Sequence, residues 1–65
     1  MCLLKVYLEE DTDRKLIAKE VFLILKEGNI VSLKSMELET VVTLEEVDVS
    51  SIDTLNSVMI LKPTT

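Results

Sequence analysis

Histidine and tryptophan are absent from this chain of 65 residues, and cysteine, glycine and proline occur once each. Without histidine, the commonest general base near neutral pH and the commonest neutral metal ligand are both missing. One cysteine cannot form a disulfide within the chain, and with no histidine it cannot close a tetrahedral zinc site. A single glycine, Gly28, rules out a glycine-rich phosphate loop. The aromatics are Tyr7 and Phe22 alone, too few for a base-stacking platform. Positive charge is scarce too: 7 Lys and Arg stand against 12 Asp and Glu, a net charge of −5. The cations are scattered and interleaved with Glu20 and Glu27, so the sequence offers little for nucleic-acid binding. The longest apolar run, residues 21–25, is far short of the roughly 20 residues a bilayer requires. Near the start, Lys5, Glu9 and Glu10 interrupt any signal-peptide core. A lone thiol with no export signal suits the reducing cytoplasm. A cytoplasmic protein without a membrane segment is expected.

What remains is a folding composition, 48% hydrophobic and 29% charged. The chain has room for one small domain, residues 1–65. A domain of this size buries only about 60% of the surface its unfolded chain exposes. Small scaffolds therefore draw support from disulfides, a metal or association. Disulfides within the chain are excluded, so a metal or a second copy is left.

Residues 2–9 alternate, with Leu4, Val6 and Leu8 on one face and Leu3, Lys5 and Tyr7 on the other, as a strand requires. Glu10-Asp11-Thr12-Asp13 is a polar turn cluster, after which Arg14-Lys15-Leu16-Ile17-Ala18 can return as a second strand. Residues 14–27 carry two readings. Ile17, Val21, Ile24 and Leu25 match a helical stripe, with Asp13 and Gly28 as caps. Against this, β-branched Val21 and Ile24, then Glu27-Gly28-Asn29 and Ile30-Val31-Ser32-Leu33, make a hairpin signal. Beyond Gly28 the pattern is all strand, broken by the turn-rich Ser50-Ser51-Ile52-Asp53-Thr54 and stopped at Pro63. Strand-like runs at this spacing point to an all-β fold: a small antiparallel, barrel-like sheet of about six or seven short strands.

Few residues suggest chemistry. The serines have no triad partner, and Glu9-Glu10 and Glu45-Glu46 read as solvated rim charges, because strand neighbours point to opposite faces. Met36 and Met59 read as core fillers. No enzymatic activity is expected. Cys2 stands out by position. Next to Met1 it is small enough for methionine removal, which would leave one residue bearing both an α-amine and a thiol. These donors form a five-membered chelate ring, and their ordinary pKa values of about 8 and 8.5 let a metal displace both protons near neutrality. If Met1 stays, the thiolate and the backbone nitrogen of Cys2 remain. One chain supplies too few donors, whereas a two-fold pair supplies two thiolates and two nitrogens, a set suited to square-planar Ni(II) or Cu(II). The competing reading of Cys2 is a buried strand cysteine with a packing role.

Met1-Cys2, followed by Val6-Tyr7-Leu8-Glu9, the Glu-Gly-Asn-Ile-Val segment at 27–31 and the acidic Glu45-Glu46-Val47-Asp48-Val49, resembles the CooT family of small proteins across nearly the whole chain. The resemblance implies a compact antiparallel β fold, a homodimer and nickel binding that depends on Cys2. It also implies an accessory role in nickel supply to a client such as carbon monoxide dehydrogenase. Many relatives carry the label of predicted RNA-binding protein, which the acidic balance does not support. Where family members often have an Asp-Leu-Phe-Gly-like turn, this chain has Ser35-Met36-Glu37-Leu38-Glu39. The expectation is a nickel-binding homodimer with about one Ni(II) per dimer on Cys2, and with Leu3, Leu4, Val6 and Tyr7 at the interface. The alternative is a metal-free module that binds a protein or RNA. The hairpin signal together with this likeness favours strand over most of residues 14–27, despite their helical stripe.

Overall fold

The structure, a computed structural model, describes residues 3–37 and 39–64. Seven strands follow one another: β1 (Leu4–Glu10), β2 (Asp13–Val21), β3 (Leu23–Glu27), β4 (Ile30–Lys34), β5 (Thr40–Glu45), β6 (Val47–Asp53) and β7 (Val58–Pro63). They form a four-stranded sheet in the order β2-β1-β7-β6 and a three-stranded sheet in the order β3-β4-β5. The all-β expectation and the strand number therefore hold. One pair departs from the antiparallel rule, because β1 and β7 run parallel in the middle of the larger sheet. No helix among the described residues is long and apolar enough to cross a membrane.

The two sheets are joined by bent strands. β2 passes into β3 through Phe22 alone, and β5 into β6 through Glu46 alone. Each long segment starts in one sheet and ends in the other, as strands do at the corners of a sandwich. Glu20 and Glu46 take φ of 56° at these bends, a left-handed conformation that costs a side-chain-bearing residue about 1–2 kcal/mol. Backbone hydrogen bonds hold both corners. The Phe22 N–H donates to the Lys34 carbonyl at 2.9 Å, and the Glu46 N–H to the Asn29 carbonyl at 2.7 Å. The Thr64 N–H in turn donates to the Glu46 carbonyl at 2.9 Å. The result is curled and barrel-like but not closed, since no strand of one sheet is hydrogen-bonded into the other.

Residues 14–27 are strand except at Phe22, and the pairing explains their helical stripe. Val6 faces Ala18 while Tyr7 faces Leu16, so Ile17 is an extra residue; Leu4 faces Val21, so Lys19 and Glu20 together oppose Lys5. These bulges place the buried Ala18 and Val21 three positions apart instead of two. The corner at Phe22 adds a further interval of three before the half-buried Ile24. A spacing of three recurs here because the strand is interrupted, and it imitates helical periodicity.

Val6, Ala18, Val21, Val31, Leu33, Val47, Met59 and Leu61 form the core, ringed by Leu4, Leu8, Ile17, Ile24, Val42 and Leu44. Val31 with Leu33 and Met59 with Leu61 show the period of two that a half-covered strand imposes. Val6 is fully buried in its own chain, so it is not available to a partner, contrary to its place among the expected interface residues. Leu4 packs on the core, whereas Leu3 and Tyr7 stay half-buried at the surface. Residues 50–53, read as a turn, belong instead to β6, where a bulge at Ser50 separates Val49 from Ser51 in the pairing with β7. The turn comes later, ending at Ser57 with φ 57°. Between β3 and β4, Glu27 faces Ile30 across a two-residue turn. Gly28 has φ +60° and Asn29 no positive φ, the pattern of a type II′ hairpin turn.

Leu33→Ala should destabilise the chain by about 2–5 kcal/mol, a large part of the roughly 3–10 kcal/mol that a domain of this length holds. Gly28→Ala meets no atom within 4 Å of the added Cβ, so its cost is that of the backbone conformation alone, about 1 kcal/mol. Urea unfolding measures both; equal losses in the two variants would contradict this account of core and turn.

Candidate functional site

Cys2, the residue singled out as a metal ligand, lies outside the described residues, as does Met1. Leu3 follows it directly and is half-buried before β1 begins. Leu3 lines a groove of about 350 Å³ together with Lys19, Glu20, Ser35, Met36, Glu37 and Val41. The groove runs between the bulged end of β2 and the turn that leads into β5. Its walls follow from local sequence. The bulge opposite Lys5 brings Lys19 and Glu20 together at the edge. On the other wall, the Ser35 N–H donates to the Glu39 carbonyl at 2.9 Å and closes the turn. The Ser35 hydroxyl donates to Glu37 Oε2 at 3.1 Å, and Lys34 Nζ donates to Thr40 Oγ1 at 2.8 Å. A second bulge, between Leu33 and Lys34, leaves Val41 without a partner on β4 and 49% exposed.

Chemically the groove combines an apolar floor of Leu3, Met36 and Val41 with two carboxylates, a hydroxyl and an ammonium group on its rim. Met36, expected in the core, is 50% exposed here and offers a thioether to the groove. Met59 is the methionine that fills the core, at 5% exposure. Sequence periodicity could not have separated these two, because Met36 lies in a turn and not on a strand face. The groove's carboxylates and thioether adjoin the position from which the chain continues to Cys2. Among the described residues, no three of His, Cys, Asp and Glu gather into a group able to hold a metal ion.

The adjacent acidic pairs sit as rim charges. Glu9 accepts an ion pair from Arg14 at 2.8 Å. Glu45 and Glu46 are both exposed, Glu46 at the β5–β6 corner. Elsewhere, Lys26 Nζ meets Asp48 Oδ1 at 3.6 Å, which links β3 to β6. Such exposed pairs contribute about 0–1 kcal/mol. No buried polar side chain lies in the core among the described residues. Compared with known proteins, the chain matches no family model and no curated protein.

The displaced carboxylate is Asp53, at the end of β6. Its pKa lies below the ordinary value of 3.8, chiefly because the Asn56 side-chain amide donates to it, with the Asn56 and Leu55 backbone N–H groups adding to the effect and desolvation opposing it. The distances are 2.8 Å from Asn56 Nδ2, 3.1 Å from the Asn56 N–H and 3.0 Å from the Leu55 N–H. All three donors favour the ionised form. A depressed folded-state pKa gives stability that is fully present above the unfolded value and is lost as pH falls through the folded one. Asp53 should therefore stabilise the β6–β7 turn above about pH 4 and cease to do so in stronger acid. Unfolding of wild type and Asp53→Asn across pH 2–6 should show the difference between them shrinking toward low pH; a difference that grows on acidification would reverse the assignment.

Proposed function

We propose that the chain is a non-enzymatic, nickel-binding homodimeric accessory protein of the cytoplasm, with Cys2 as its metal-binding residue. The Met1-Cys2 start carries this reading, as the one soft, chelating donor set in the sequence. Two further observations support it. The all-β architecture is of the kind the CooT resemblance implies. The residue bonded to Cys2, Leu3, lines a surface groove and not the core, beside the thioether of Met36 and the carboxylates of Glu20 and Glu37. In the proposed dimer, two Cys2 thiolates and two nitrogens from the N-terminal amine or backbone take about one Ni(II) in square-planar geometry. Zn(II) is disfavoured because it prefers a tetrahedral set. Cu(II) outranks Ni(II) on affinity, so selection of nickel comes partly from metal availability. The client is then a nickel enzyme, of which carbon monoxide dehydrogenase is the one the resemblance suggests.

A second reading, a metal-free module for a protein partner, draws on a different observation. Ile52 and Leu55 are exposed by 57% and 90%, apolar side chains that a bound partner would cover.

Nickel titration distinguishes the two. A thiolate-to-nickel charge-transfer band in the near ultraviolet should grow to about half an equivalent per chain and disappear in Cys2→Ser. Binding should weaken as pH falls, because protons compete for thiolate and amine. Sedimentation should show a species of twice the monomer mass. Retention of the band in Cys2→Ser, or a monomer throughout, would sink this reading. Mass spectrometry of the mature N-terminus decides whether the amine belongs to Met1 or to Cys2.

A further inference from the structure

The four-stranded sheet ends in two unlike edges. β2, on one side, carries Arg14, Lys15 and Lys19, and two bulges interrupt its pairing with β1. Lysines and bulges are devices that keep an edge from pairing with another chain. β6, on the other side, has no lysine, arginine or proline and a single bulge. Among the described residues its backbone pairs with β7 and with no other strand. Every residue from 48 to 53 is exposed.

The inner face of this edge matters most. Val49 lies opposite Leu61 and Ile52 opposite Met59, on the side of the sheet that faces the core. Leu61 and Met59 are buried, yet Val49 is 39% exposed and Ile52 57%. The three-stranded sheet therefore stops short of β6 and leaves an apolar ledge beside a free backbone edge. β3 reaches across at the Lys26–Asp48 contact.

Charge indicates what fits the ledge. Residues 35–61 contain six acids and no cation, all seven cations lying at 5–34 and at 62. Asp48 and Asp53 sit on β6, and Glu45 and Glu46 lead into it. Lys26 and Lys62 both stand near Asp48, and Lys5 lies two strands from Asp53 in the register. A second copy presenting the same edge would set acids against acids. A nucleic acid is repelled by the same charges. An extended polypeptide that alternates basic and aliphatic side chains would satisfy the backbone edge, cover the ledge and meet the acids.

We propose that β6, over residues 48–53, is a docking edge for an extended basic segment of another protein, which adds to the four-stranded sheet as a fifth strand. Main-chain hydrogen bonds supply the affinity, and the alternation of side chains supplies the selectivity. This proposal does not rest on the nickel reading, so its test uses the full chain kept reduced and treated with chelator.

The probe is a synthetic seven-residue peptide alternating lysine and valine. One control replaces lysine by glutamate, and another is methylated on alternate backbone nitrogens so that it cannot donate to an edge. Added to the ¹⁵N-labelled chain, the lysine peptide should shift the amides of residues 47–53 and leave those of residues 13–21 unmoved. Binding should fall at least tenfold for either control, and at least tenfold in Asp48→Lys and in Ile52→Lys. Both substitutions are at exposed positions, so at least one folded variant is expected. Shifts centred on β2, or undiminished binding of the methylated control, would overturn the proposal. So would a peptide-free chain that sediments as a dimer and is dissociated by Ile52→Lys, since a second copy would then occupy the edge.

Discussion

The parallel pairing of β1 with β7 is the contact on which the rest of the fold depends. Every other strand pair joins neighbours in sequence, through a hairpin or a short turn. β1 and β7 alone bring together the two ends of the chain, with Val6 against Met59 and Leu8 against Leu61. Closing so long a loop costs chain entropy that grows slowly, as the logarithm of its length. Burial of Val6, Met59 and Leu61, the core residues carried by these two strands, offsets it. The bent segments β2–β3 and β5–β6 then curl the smaller sheet over the face that the pair has created.

Much of this architecture was legible in the residues. Alternation in β1 separated Leu4, Val6 and Leu8 from Lys5 and Tyr7, since a strand half-covered by a second layer imposes a period of two on burial. Glu27-Gly28-Asn29 announced its hairpin because a left-handed first turn position favours glycine. What escaped was the irregularities themselves. The bulges in β2 produced a spacing of three that imitates a helix, and strand was favoured over residues 14–27 by the hairpin signal that follows and by the family likeness. The parallel pair has no local signature, because its partners lie at opposite ends of the sequence. Ser50 and Ser51 resemble a turn by composition yet sit on a strand edge, where small polar residues meet only solvent. For the candidate site, Cys2 was conspicuous from its position next to Met1, whereas the groove beside Leu3 arises from two bulges and a turn that composition does not reveal.

The two surfaces of interest lie apart. The groove uses the β2 side of the larger sheet, and the exposed ledge uses the β6 side, with β1 and β7 between them. The intervening strands carry Val6, Met59 and Leu61 of the core, and these lie between the two surfaces. The groove and the ledge therefore do not compete for space.

The direction of β7 has a practical bearing on how the molecule can be handled. Because β1 and β7 run the same way, the first strand starts at one end of the sheet and the last strand finishes at the other. Lys5 stands beside Val58, so Pro63 is displaced from Leu4 by most of a strand length, about 20 Å at the usual rise per residue. Thr64 is tied at that far end to the Glu46 carbonyl. A purification tag or fluorophore attached after Thr64 therefore leaves the groove beside Leu3 unobstructed. A segment joining Thr64 directly to Leu4 would have to run back along the whole sheet.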